Sequence, residues 1–193
     1  MVSATSASLV DRLWRPRGRT EQVLRAVALV GAGSLALAVS AKVAIPFVPV
    51  PFTMQTAVVL VIGLTFGRGL GAATVAAYLL EGAAGLPVFA AGGGAVYLVS
   101  SPTAGYLWGM LAATLVMGWM APRSHTRGGT LVAMLVGTGV IFTIGVAWLA
   151  RQVGVDMALA VGLRPFVVSE ALKVALVAVT LPEAQRLVDR LGR

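Results

Sequence analysis

The segment PFVVSEALKVALVAVTL, residues 165–181, is a long apolar run with Glu170 and Lys173 set inside it. The two charges are three positions apart, so on an α-helix they share one face. A charge at the centre of a bilayer costs on the order of 3 kcal/mol on insertion scales. Opposite charges offset part of that cost by mutual attraction, best where further hydrogen bonds satisfy both groups. Two readings stand. One is a ligand clamp, in which the carboxylate accepts from N–H donors and the ammonium donates to a carbonyl or carboxylate. The other is a structural salt bridge between helices, or a lysine that snorkels outward. Ionisable pairs inside a membrane usually mark a substrate path, which favours the clamp.

The composition places that segment in lipid. The chain has 193 residues, of which 58% are hydrophobic and 11% charged, with a mean hydropathy of +0.91. A soluble domain carries about a quarter charged residues. Most of this surface therefore faces something other than water, and the expectation is an all-α integral membrane protein of one compact domain. The 23 glycines suit close helix packing in lipid. The absence of cysteine excludes disulfides and thiolate metal sites, and a single histidine, His125, excludes a histidine metal cluster. The net charge of +8 does not read as nucleic-acid binding, because the basic residues gather at segment ends, as membrane topology predicts. The N-terminal MVSATSASLVDRLWRPRGRTEQ stays polar too long to read as a cleavable signal. There is no Walker A motif, no HExxH and no GxSxG, and no inverted repeat stands out.

Six helices are expected, at 23–45, 53–66, 70–86, 104–121, 130–150 and 165–181. Pro46, Pro49 and Pro51 end the first. The GRG at 67–69 separates the second from the third, both of which are short for spans of roughly 20 residues. The basic residues set the orientation. Arg12, Arg15, Arg17 and Arg19, Arg68, Arg123 and Arg127, and Arg186, Arg190 and Arg193 fall on one side, against Arg151 and Arg164 on the other. By the positive-inside rule both termini are cytoplasmic, and the even number of spans agrees. The chain thus divides into a basic N-terminal tail (1–22), a six-helix membrane domain (23–181) and a C-terminal tail (182–193). Glu170, Lys173 and the Pro/Gly-rich connections 46–52 and 87–103 then share the outer side. Irregular backbone near membrane depth persists where protein buries it or it lines a cavity, so a pocket opening outward is expected.

Other residues carry weaker signals. Lys42 stands at the outer boundary and reads as a snorkelling lysine. Glu81, also near that boundary, reads as its partner or as a group pointing into the pocket, with the structural pair favoured. Gly92, Gly93 and Gly94 offer backbone that approaches a ligand closely, or an anion-binding nest. Phe89, Tyr97, Tyr106 and Trp108 flank them, with Phe89 and Tyr106 equally readable as interfacial anchors. Ala28, Ala32, Ala36 and Ser40 recur every fourth residue, a ridge suited either to packing within the bundle or to docking another membrane subunit.

Taken together, AKVAIPFVPVPFTMQT, YLLEGAAGLPVFAAGGG, SPTAGYLWG and SEALK, in that order over residues 25–181, resemble the BioY family. Its members are the biotin-specific substrate-binding (S) components of energy-coupling factor (ECF) transporters. The resemblance implies a six-helix S-component-like bundle in the bacterial inner membrane, with both termini cytoplasmic and no cofactor. It implies biotin capture near the outer surface, and a transmembrane coupling protein and a pair of ATPases as partners. It also implies that Glu170 and Lys173 contact the ureido end of biotin. The family often has aspartate at the first position, and glutamate is one methylene longer. A further part of the family pocket maps onto Gly92, Gly93, Gly94 and Tyr97, and the ridge on the first helix onto the face that meets the coupling protein. Phe89, Val96 and Leu98 are expected to cradle the thiophane ring and valeryl chain. The competing readings are an S component for another vitamin, a stand-alone biotin transporter, a membrane enzyme using Glu170 as a base, and an assembly subunit. Competition by other vitamins separates the first, a second catalytic group marks the enzyme, and saturable binding excludes the last.

Overall fold

The computed structural model describes residues 10, 11, 14, 16–121 and 127–191. Helix α1 is Arg19–Lys42. A two-residue hairpin follows, β1 Ala44–Ile45 and β2 Phe52–Thr53, antiparallel with Ala44 opposite Thr53 and Ile45 opposite Phe52. Next come α2 Gln55–Thr65, α3 Gly67–Ala83, the short α4 Tyr97–Ser100 and α5 Ala104–Met120. The chain closes with α6 Arg127–Val153, α7 Val155–Gly162 and α8 Phe166–Leu191. Arg12, Arg15, Arg123, His125 and Arg193, and the side chains of Arg127 and Arg190, lie outside the described residues.

The helices are less even than six comparable spans. By length and apolar composition, α1 and α6 each suffice to cross a bilayer, and α7 with α8 adds a third if that pair is one broken span bent by 47°. At 1.5 Å per residue α2 extends only about 16 Å. The break between α2 and α3 falls at Phe66–Gly67, on the first glycine of the GRG, whose remaining residues are already helical: Gly67 takes φ +76°, a left-handed value that glycine adopts without a Cβ penalty. The connection 151–164 is largely helical rather than a loop, because α6 continues to Val153 and α7 begins at Val155. At the other end α8 runs through Pro182 instead of stopping with the apolar run.

Helix α5 packs against α6, α3 and α2, while α1 packs against α3. The α5–α6 approach depends on glycine: a Cβ on Gly109 would lie 2.8 Å from the Ile141 carbonyl oxygen. Side chains on α8 sort in the reverse of a soluble helix. Phe166, Glu170, Lys173, Val174 and Val177 face inward, whereas Val167, Val168, Leu172, Leu176 and Val179 are exposed. An apolar exterior around a charged interior face is the arrangement lipid selects.

Candidate functional site

Glu170 and Lys173 sit one turn into α8 and are 6% and 8% exposed. Lys173 Nζ donates to Glu170 Oε1 at 2.5 Å. Thr56 Oγ1, from the first turn of α2, donates to the same oxygen at 3.2 Å and accepts from Lys173 at 3.4 Å. One carboxylate oxygen thus takes both bonds. The other, Oε2, is buried and has no hydrogen-bond partner among the described residues. Arg25 Nε and Thr138 Oγ1 share that condition, but neither lines the cavity that Glu170 lines. An ammonium has three donors and Lys173 meets two acceptors, so among the described residues one donor is uncommitted.

That cavity and its open mouth together span about 580 Å³. Val50, Pro51 and Thr53 of the hairpin cover part of it, and Gln55 and Thr56 come from the start of α2. Phe89, Ala90 and Tyr97 form the wall from the α3–α4 connection and α4, with Thr103, Tyr106, Leu107 and Met110 leading into and along α5. Ile141 and Phe142 of α6, then Phe166, Glu170 and Lys173 of α8, complete it. The walls are mainly apolar with a few placed polar groups, the usual make-up of a small-ligand site. Phe166 lies four residues before Glu170, on the same helix face, and stacks on Phe52 of the hairpin with centroids 4.2 Å apart.

The polar wall away from the ion pair is internally satisfied. Gln55 Nε2 donates to Tyr78 Oη at 2.7 Å, and Tyr78 donates to the Val88 carbonyl at 3.2 Å. Tyr97 Oη lies 2.8 Å from Thr103 Oγ1, which is 2.9 Å from Ser101 Oγ. Tyr106 is buried and donates to the Gly162 carbonyl at 2.9 Å, which removes it from the role of interfacial anchor.

Of the residues singled out from sequence, the fold brings Glu170, Lys173, Phe89, Tyr97 and Tyr106 to one cavity. Gly92, Gly93 and Gly94 are not among its lining residues. The Gly94 N–H is committed to the Gly82 carbonyl at 2.7 Å, so it is not free for a nest. Gly92, at φ +76°, serves Tyr97 instead: a Cβ there would lie 2.7 Å from the tyrosine ring. Val96 is exposed and Leu98 is buried in the core, and neither lines the cavity. Lys42 and Glu81 do not pair. Lys42 Nζ donates inward to the Phe89 carbonyl at 2.6 Å, and Glu81 Oε1 accepts from Ser34 Oγ at 2.8 Å. On α1, Ala28, Ala32 and Ala36 are exposed, while Ser40 is buried and donates to the Leu37 carbonyl. Thr56, Gln55 and Phe166 were not expected from the sequence. The signal that could have found the first two is the one that found Glu170, since both are polar residues opening an apolar run.

The BioY family profile matches residues 10–190, in keeping with the motif resemblance. The chain is 33% identical over 165 residues to the biotin transporter BioY of Thermotoga maritima, covering 85% of this chain and 98% of that one. It is 36% identical over 149 residues to the probable biotin transporter BioY of Pyrococcus horikoshii, covering 77% and 89%. Its fold is similar to the crystal structure of an S-component for biotin from an ECF-type ABC transporter. The TM-score there is 0.75 at 23% identity, over 88% of this chain and 94% of that one. These relatives are transport proteins, not enzymes. On the profile match and the two alignments, the chain belongs to the BioY family.

Proposed function

We propose that this protein captures biotin in the cavity beside Glu170 and Lys173 and delivers it for import as the S component of an ECF-type transporter. One observation carries the reading: the buried Glu170 Oε2 has no partner among the described residues, in the wall of a largely apolar cavity. An unpaired buried carboxylate oxygen is costly, and a ligand N–H relieves it. Beside it the third Lys173 donor suits a carbonyl oxygen. A ureido group presents N–H donors and a carbonyl together, so this acceptor–donor pair matches the polar head of biotin. Phe89, Tyr97, Met110, Phe142 and Phe166 suit its thiophane ring and valeryl chain. Gly92, Gly93 and Gly94 act indirectly, by shaping the loop that presents Phe89 and Tyr97.

In this reading the chain spans the bacterial inner membrane six times with both termini in the cytoplasm. Arg17, Arg19, Arg68 and Arg186 mark the inner side, and the cavity opens outward beneath the hairpin. The exposed Ala28, Ala32 and Ala36 ridge of α1 receives the transmembrane coupling protein, which links the chain to a pair of ATPases. The flatness of such a ridge supports close helix approach in lipid. The test is biotin binding by the purified full chain in detergent, with thiamine and riboflavin as competitors. Saturable binding that only biotin competes supports the proposal. Displacement by another vitamin reassigns the substrate, and no saturable binding removes the transport reading.

A further inference from the structure

Lys42 stands outside the cavity, at the last position of α1, yet its ammonium holds the carbonyl of a wall residue, Phe89, at 2.6 Å. The backbone around Phe89 has little else to hold it. Among the described residues, the backbone–backbone bonds nearest are Val88 N–H to the Leu86 carbonyl and Gly94 N–H to the Gly82 carbonyl, with none made by residues 89–93. Two successive carbonyls are instead held by side chains from two helices, Val88 by Tyr78 of α3 and Phe89 by Lys42 of α1. The ammonium bond is charge-assisted and the stronger of the two kinds. Meanwhile the Phe89 ring is seated on Gly82, where a Cβ would collide with the outer edge of the ring, and it stacks on Tyr97 with centroids 5.5 Å apart. Next to that seat, Glu81 is tied to Ser34 of α1. Both the carbonyl of Phe89 and the seat of its ring are therefore referred to α1.

We infer that Lys42 is a positioning residue for the cavity: it sets how far Phe89 projects into the wall, and so the width left for the apolar part of the ligand. This rests on the reading that the cavity holds biotin. Lys42 is itself largely exposed, so truncating it strands no buried charge, and the effect is felt at Phe89 rather than in global stability.

The test uses Lys42→Met and Lys42→Arg in the purified full chain, read by hydrogen exchange without ligand and by biotin titration. In Lys42→Met, amides within 86–97 exchange faster by about fivefold or more while the rest of the bundle is unchanged; unchanged exchange there overturns the inference. Biotin affinity falls about tenfold in Lys42→Met and returns to within about twofold in Lys42→Arg. In a Phe89→Leu background the loss caused by Lys42→Met shrinks below about twofold, since the two act as one unit. An equal loss in both backgrounds overturns the assignment to Phe89. If the wild-type chain binds no biotin, the functional reading falls, and the exchange arm still decides whether Lys42 holds the wall.

Discussion

Phe52 of the hairpin stacks on Phe166 of α8 with ring centroids 4.2 Å apart and planes 19° from parallel. Phe166 is one turn ahead of Glu170, so the hairpin is docked on the same helix face that carries the ion pair. Phe47 adds an edge contact to each ring, at 5.2 Å and 6.2 Å. The cover of the cavity and its charged floor are thus parts of one packed unit.

Loosening that contact should speed ligand escape. An aromatic pair contributes about 0.5–1.5 kcal/mol beyond its buried area, so Phe52→Ala should raise the biotin dissociation rate by roughly 3- to 10-fold. Stopped-flow displacement measures it, and an unchanged rate shows that the hairpin does not retain the ligand.

The ion pair separates affinity from stability. Lys173→Ala should weaken biotin binding at least tenfold, or about 1.4 kcal/mol. It also strands a buried carboxylate, and breaking a buried pair costs about 3–5 kcal/mol of stability, so the melting temperature should fall. The double change Glu170→Gln with Lys173→Met removes both charges and should recover most of the melting temperature without restoring binding. Recovery of biotin affinity in that double variant would argue against direct contact.

Gly82→Ala places a methyl group in the space of the Phe89 ring. Overpacking of this kind costs about 1–3 kcal/mol, and here the ring has the cavity to move into. Biotin affinity should drop more than the melting temperature does, as read by titration and thermal unfolding on one preparation.

Gln55→Leu tests the buried network that links α2 to α3. It removes the bond that Tyr78 accepts while its donation to the Val88 carbonyl remains, and a lost buried hydrogen bond costs about 0.5–1.5 kcal/mol. Thermal unfolding in detergent should show the loss.

The α1 ridge is tested by Ala32→Trp. Biotin binding to the isolated chain should be unchanged, because Ala32 faces away from the cavity. Uptake by cells that also supply the coupling protein and ATPases should be lost. Normal uptake would move the docking face elsewhere.

Some of this was legible in the letters alone. A charge inside an oily run has a cost that must be met locally, so Glu170 and Lys173 stood out and the fold does bury them together. The same logic applied to Gln55 and Thr56, but hydroxyl and amide groups cost less to bury and draw less notice. Lys42 obeyed a local rule, a cation at a helix end free to reach water, and only its neighbour Phe89 changed its meaning. The Gly92–Gly94 run showed where backbone could bend, not which carbonyl would take the Gly94 N–H. Helix α7 was missed because its eight residues, Asp156 among them, are too few to register as a span.

What the sequence by itself determined is the mainly helical, apolar character of the chain and which helix carries charge inward. Those follow from transfer free energies that accumulate residue by residue along the chain. Only the tertiary structure decided the partners, among them Thr56 with Glu170, Lys42 with Phe89 and Phe52 with Phe166. Such contacts depend on which helices lie side by side, and that is settled by packing among distant segments rather than by any segment's own hydropathy.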